Sequence, residues 1–273
     1  MATVTDTDRV FAGSIPQLYE RFMVPMIFEP YAADMARDAA ALRPAKVLEL
    51  AAGTGVVTRR LARELPDDVA IVATDLNPAM LEEAAHAGTA RPVQWRPADA
   101  MQLPFEDATF DVVACQFGVM FFPDKARAFA EARRVLRPGG TLLFNVWDRI
   151  EANEFITVVC GALDELFPEN PPRFMHRGPH GYHDKDTIRA DLARGGFPSA
   201  QVETVAHRSR AARARDAVTG YCHGSPLRSD IEAHGPDALA RATEAAVAAL
   251  EQRFGRGPIE GAIQAHVVRS ARG

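Results

Sequence analysis

Apolar residues in this chain gather in short runs that close on a polar or small residue, and between the runs they recur at helical spacing. The first clear run, residues 47–50, carries Glu49 near its end and opens into the small-residue loop Ala51-Ala52-Gly53-Thr54-Gly55, ahead of an amphipathic stretch. That order predicts a strand, a tight turn and a helix N-terminus. A second run, 69–73, leads to Asp75 and then to Asn77-Pro78, a helix start with proline at the first helical position. Further strands are expected over 91–96, 110–116 and 141–147, the last after a helix over 124–136 that Arg137-Pro138-Gly139-Gly140 ends. Strands alternating with helices imply right-handed crossovers and a parallel sheet.

On either side of this core the pattern changes. Residues 14–42 hold apolar and aromatic positions at helical spacing, interrupted by Pro16, Pro25 and Pro30. They predict short helices over the mouth of the sheet, then a longer one from Tyr31 to about Leu42. Beyond Asp148 the expected elements are a helix over 153–167, a loop rich in proline, histidine and glycine over 168–181, and a helix over 184–194 closed by Gly195-Gly196. A sixth strand over 199–207, helices over 211–255 and a last strand over 262–269 follow. No linker separates independent domains, so a single domain over 1–273 is expected, with a cap over 14–45, a core over 46–148 and a substrate side over 149–273.

Composition narrows the class. A length of 273 residues suits one α/β domain with an insertion, and 47% hydrophobic with 25% charged residues is ordinary for a soluble protein. A net charge of −5 gives no electrostatic attraction to nucleic acid or an anionic membrane. Cys115, Cys160 and Cys222 are an odd count without metal-ligand spacing, which fits a reducing, cytoplasmic setting. Residues 1–8 are polar and acidic without the layout of a signal peptide, and no run approaches the roughly 18 apolar residues of a membrane span.

The loop after the first strand carries the chemistry. Its glycines admit a ligand close to the main chain, outside the carboxyl end of a strand where open α/β sheets place their sites. A dinucleotide fingerprint would need a third glycine three residues after Gly55, and Thr58 stands there instead. Asp75 lies about 20 residues on, as a ribose-binding carboxylate would. A nucleoside without a diphosphate fits this combination better than a dinucleotide does. Asp111, within the fourth run, has no such support and reads as structural.

Taken together, Glu49-x-Ala51-x-Gly53-x-Gly55, Asp75, Asp99-Ala100, Leu103-Pro104-Phe105 and Arg137-Pro138-Gly139-Gly140 resemble a class I S-adenosylmethionine-dependent methyltransferase. Within that family the likeness is to the broad bacterial group acting on quinones, lipids and small metabolites, and it covers residues 14–150 most strongly. Ala51 departs from the pattern, which usually has glycine there; alanine is the smallest replacement. The resemblance implies a Rossmann-like, seven-stranded doubly wound sheet with an antiparallel last strand inserted between the fifth and sixth. It also implies an N-terminal helical cap and a helical insertion before that last strand. The implied cofactor is S-adenosylmethionine. Glu49 and the carbonyl of Gln116 would draw its ammonium, and the Ala51, Gly53 and Gly55 backbone would lie against its amino-acid and ribose portions. Asp75 would accept from the ribose hydroxyls, Leu76 and Met101 would flank the adenine, and Asp99 with the Ala100 N–H would meet the ring edge. Tyr19 would contact the cofactor from a lid.

The implied reaction is methyl transfer to an oxygen, nitrogen or carbon of a small molecule, with no nucleic-acid partner. Phe117, Met120, Phe121, Phe122, Phe22, Met23, Met26 and Phe28 make the expected acceptor lining apolar. His176, His180 and His183 crowd one loop, with His223 further on; their spacing matches no zinc framework, and a general base or a plain solvated loop both stay open. Non-methylating chemistry on the same cofactor, and a cofactor-binding protein without turnover, are the alternatives. A nicotinamide enzyme ranks below both.

Overall fold

The strands are β1 (Lys46–Glu49), β2 (Ala70–Asp75), β3 (Gln94–Pro97), β4 (Phe110–Gln116), β5 (Leu136–Trp147), β6 (Gln201–Ala211) and β7 (Ile259–Ala271). In this computed structural model, which describes residue 8, residue 11 and residues 13–273, they form one sheet in the order β3-β2-β1-β4-β5-β7-β6. Residues 1–7, part of the stretch read above for a leader, lie outside the described residues. Strands β1 to β5 are parallel, and β7 runs antiparallel to β5 with Asn145 opposite Val267. Every residue of β4 is buried, as a strand covered on both faces requires, whereas the edge strand β3 is part-exposed. Strand order reverses between β1 and β4, so a crevice opens at their carboxyl ends.

Two compact units emerge from the contacts. One comprises residues 29–147, 182–205 and 265–273 and contains β1 to β5. Here helix Glu29–Ala41 packs on helix Val56–Glu64, and helix Lys125–Val135 on helix Lys185–Arg194. The other unit, built from the described residues before Glu29 with 148–181 and 206–264, is mainly helical. In it helix Glu154–Leu166 packs on helix Ala238–Phe254. Arg177 joins distant parts of this unit, bonding Asp8 at 2.6 Å and Asp230 at 2.8 Å.

Two local expectations need correction. The proline-interrupted segment is helical without a gap: Ile15–Leu18 leads into a π-helix, Tyr19–Phe28, that continues as Glu29–Ala41. The wider π turn accommodates Pro25, whose missing N–H would break an α-helical ladder. Likewise Arg137-Pro138-Gly139-Gly140 ends the helix but already belongs to β5. Its backbone is paired from the C-terminal end of the chain, Gly139 N donating to Arg272 O at 2.8 Å and Arg272 N to Gly140 O at 2.7 Å. A further short helix, Phe174–Arg177, lies within the expected loop over 168–181.

Candidate functional site

Glu49 ends β1 with 1% of its surface exposed. Its Oε2 accepts from the Thr58 hydroxyl at 2.6 Å, and its backbone carbonyl accepts from the Thr74 hydroxyl at 2.8 Å. Burial pushes the Glu49 carboxyl up to about 8, against the opposing pull of the Thr58 donor and the Arg59 charge. Thr58 occupies the position of the missing third glycine, so the residue that breaks the dinucleotide fingerprint is the one that holds Glu49.

The loop beyond is pinned at alternate residues. Leu50 N donates to Ala114 O at 2.8 Å and Ala52 N to Thr74 O at 2.9 Å, tying the turn to the flanking strands. Ala51, Gly53 and Gly55 take φ of 51°, 57° and 83°, all in the left-handed region. Gly55 is required twice over: besides its φ, a Cβ there would lie 3.0 Å from the Trp95 ring and 3.1 Å from the Ala84 methyl.

Asp75 closes β2, 7% exposed. Its Oδ2 accepts from Gly53 N and its Oδ1 from Asn77 N, both at 2.8 Å. Burial raises its pKa, and these backbone donors oppose the rise. Next to it Leu76 is 52% exposed, the one large hydrophobic side chain exposed among the described residues. Ala98 N donates to Asp75 O at 3.0 Å, which draws the following turn alongside. In that turn Asp99 Oδ1 accepts from Met101 N at 2.8 Å and Arg127 Nε donates to Met101 O at 3.0 Å. Ala100 is buried and Met101 half-buried.

Gln116 ends β4, and Phe117 follows in the left-handed region with φ 51°. Such a φ is an outlier for a bulky residue. The Phe117 N–H bonds Asn145 through the backbone carbonyl at 3.0 Å and the side-chain oxygen at 3.2 Å. Its ring stacks on Trp147, with centroids 3.7 Å apart and planes at 6°, and Tyr31 meets both rings edge-on.

Every expected cofactor residue except Tyr19 therefore stands at, or one turn beyond, the carboxyl end of β1, β2, β3 or β4. Tyr19 belongs to the helical unit, where it stacks on Phe28 at 4.9 Å. Asp111 sits at the amino end of β4, its Oδ2 accepting from Ala45 N at 2.6 Å and Lys46 N at 2.8 Å, a structural role as expected. Of the histidines, buried His180 places Nδ1 2.8 Å from Asp148 O. His223 Nε2 lies 2.8 Å from the Thr243 hydroxyl, which itself donates to Leu239 O, so the ring is the donor. His176 and His180 belong to the helical unit and His183 to the other. Of the expected acceptor lining, Phe117, Met120, Met23, Met26 and Phe28 are buried, while Phe22, Phe121 and Phe122 are half-exposed. Thr58 as the donor to Glu49 and Trp95 beneath Gly55 stand outside the residues expected from the sequence; the signal for Thr58 is its place on the first turn of the helix after the loop.

Comparison with known proteins now decides the family. A methyltransferase domain model matches residues 48–144. The ubiquinone/menaquinone biosynthesis C-methyltransferase UbiE of Teredinibacter turnerae is 35% identical over 139 residues, 49% of this chain and 51% of that protein. The protein of the same name from Ralstonia pickettii is 38% identical over 175 residues, 59% of this chain and 71% of that one. The chain belongs to the class I S-adenosylmethionine-dependent methyltransferases. This methyltransferase spans about half the length of the first curated relatives it matches. Its fold is shared with a phosphoethanolamine N-methyltransferase of Haemonchus contortus, solved with phosphomonomethylethanolamine and S-adenosylhomocysteine. That match has a TM-score of 0.62 at 16% identity, over 100% of this chain and 61% of the other, and shows the fold alone. S-adenosylmethionine is the cofactor of the family. Among the described residues no helix is long and apolar enough to cross a membrane.

Proposed function

We propose that this methyltransferase moves the methyl group of S-adenosylmethionine to a carbon, oxygen or nitrogen of a small hydrophobic or aromatic acceptor. The carrying observation is the Asp75 carboxylate. Its Oδ2 accepts from Gly53 N and its Oδ1 from Asn77 N, so the loop and the next helix start hold at the end of β2 a carboxylate suited to two neighbouring ribose hydroxyls. Exposed Leu76 supports the same reading, because a flat adenine ring would cover it, with the adaptable Met101 side chain as the second face.

The remaining assignments follow the strand ends. Asp99 and the Ala100 N–H serve the polar edge of the ring. Glu49 and the Gln116 carbonyl serve the ammonium, and the backbone of Ala51, Gly53 and Gly55 lines the cradle between them. The bound cofactor supplies a methyl that is already electrophilic. What the chain adds is orientation, worth up to roughly 7–11 kcal/mol in favourable models, and exclusion of water. Half-exposed Phe121 and Phe122, just past β4, support an apolar acceptor. The names of the bacterial relatives point toward an aromatic ring of quinone type.

Calorimetric titration with S-adenosylmethionine, S-adenosylhomocysteine and NAD(H) tests the cofactor, and S-adenosylhomocysteine release with a panel of quinols, phenols and amines tests the reaction. Binding of the two sulfur compounds and product formation with an aromatic acceptor are expected. Binding of NAD(H) alone removes the reading.

A further inference from the structure

We propose that Gly118 is a positioning residue for the cofactor loop, acting through direct contact with Ala51; this rests on the reading of that loop as the cofactor cradle. A Cβ at Gly118 would overlap Ala51 Cβ, well inside the 3.0 Å that real Cβ atoms keep, and would fall 2.9 Å from Cys115 Sγ. Gly118 itself has φ −103° and ψ −36°, a conformation open to any residue, so its own backbone does not call for glycine. The requirement comes from the neighbouring loop. Ala51 Cβ is bonded to the main chain and cannot swing aside as the end of a long side chain can.

Ala51 carries the methyl that the family pattern usually lacks, in a left-handed conformation that is strained for alanine. That methyl fills the space above residue 118, so the two loops share a single methyl group between them. Displacing Ala51 has an immediate consequence one and two residues on. Ala52 N is bonded to Thr74 O and Gly53 N to Asp75 Oδ2, and the second bond sets both the cradle and the carboxylate. The turn after β4 thereby braces the turn after β1. The brace works through Ala51 and the Gly53 amide, with no contact between Gly118 and the cofactor required.

A double-mutant cycle on the full chain tests this, with G118A made both in the unaltered protein and in the A51G variant. Two quantities are read: affinity for S-adenosylhomocysteine by calorimetry, and exchange of the Gly53 amide by NMR in the cofactor-free protein. In the unaltered protein G118A is expected to weaken affinity about tenfold and to speed Gly53 exchange by a similar factor. In the A51G variant the same change is expected to move either quantity less than about twofold. Equal effects in the two backgrounds overturn the proposal, as does G118A with unaltered Gly53 exchange. C115A/G118A recovering as fully as A51G/G118A also overturns it, by assigning the clash to the strand. Should G118A fail to fold, folding of A51G/G118A is the same rescue, and its failure is the same refutation. If the unaltered protein binds no S-adenosylhomocysteine, the cofactor reading falls, while the amide exchange still reports whether the two loops are braced.

Discussion

Glu49 faces two demands. A carboxylate at the end of β1 suits a cationic ligand group, yet burial without a full counter-charge holds its proton on to about pH 8. The sign of the resulting pH dependence follows from linkage. A carboxyl that keeps its proton longer when folded favours folding fully below its unfolded pKa, and that contribution is lost as pH rises toward about 8. Glutamine cannot ionise, so the melting temperature of cofactor-free E49Q should increasingly exceed that of the unaltered protein between pH 5 and 8, the two converging at the acid end. Parallel melting curves across this range would remove the argument. The same variant should bind S-adenosylmethionine more weakly. Asp75→Ala is expected to weaken binding by about 1.5–3 kcal/mol, the scale of hydrogen bonds to a charged group, as measured by calorimetry. Both carboxylates are legible in the sequence because each closes an apolar run. The hydroxyl that holds Glu49 is not, since which residue of a helix faces back toward a strand end depends on how the turn enters the helix. Nor is the tie between Gly118 and Ala51 legible, which exists only once two loops remote in sequence are folded side by side.

Among the elements, β5 shows where local signals mislead. Arginine, proline and two glycines after an amphipathic stretch read as a helix stop and a loop, and the helix does stop there. The strand begins at once because Phe110 of β4 pairs with Leu136 and the far end of the chain comes back to bond Gly139 and Gly140, long-range events no window of residues contains. Arg272 completes the junction, its Nη1 donating to Arg133 O at 2.9 Å and Arg134 O at 3.0 Å, carbonyls at the end of helix Lys125–Val135. A cation there satisfies carbonyls that the helix leaves unpaired and complements its dipole. Arg272→Ala should therefore cost about 1–2 kcal/mol in urea denaturation, with the affinity for S-adenosylhomocysteine unchanged. A loss of affinity equal to the loss of stability would show the junction to be part of the site. The π-helix at Tyr19–Phe28 carries the same lesson, because proline marks a break only where the α-helical register has to be kept.

At the scale of the molecule, the alternation of strands and helices made a parallel sheet readable from residues 46 to 148, while its doubly wound form was implied by the family resemblance. The division into two units was not readable, because it depends on which distant segments pack together. Arg177 is the clearest case. It joins Asp8, 2% exposed at its side chain, to Asp230, and nothing near any of the three in sequence marks the partnership. Removing it takes charged hydrogen bonds from buried Asp8 and part-buried Asp230, so Arg177→Met is expected to destabilise the protein by about 1.5–3 kcal/mol. A denaturant midpoint unmoved by that change would show the cluster to be energetically idle.

The chain has 2 tryptophans, and both pack against turns assigned above to the proposed cofactor cradle. Trp95 supports Gly55 from below, while Trp147 shares a stacked face with Phe117, directly after Gln116. Unlabelled emission thus offers a built-in optical gauge of occupancy, and replacing either indole by phenylalanine would report the two turns separately, in real time, during a single mixing experiment.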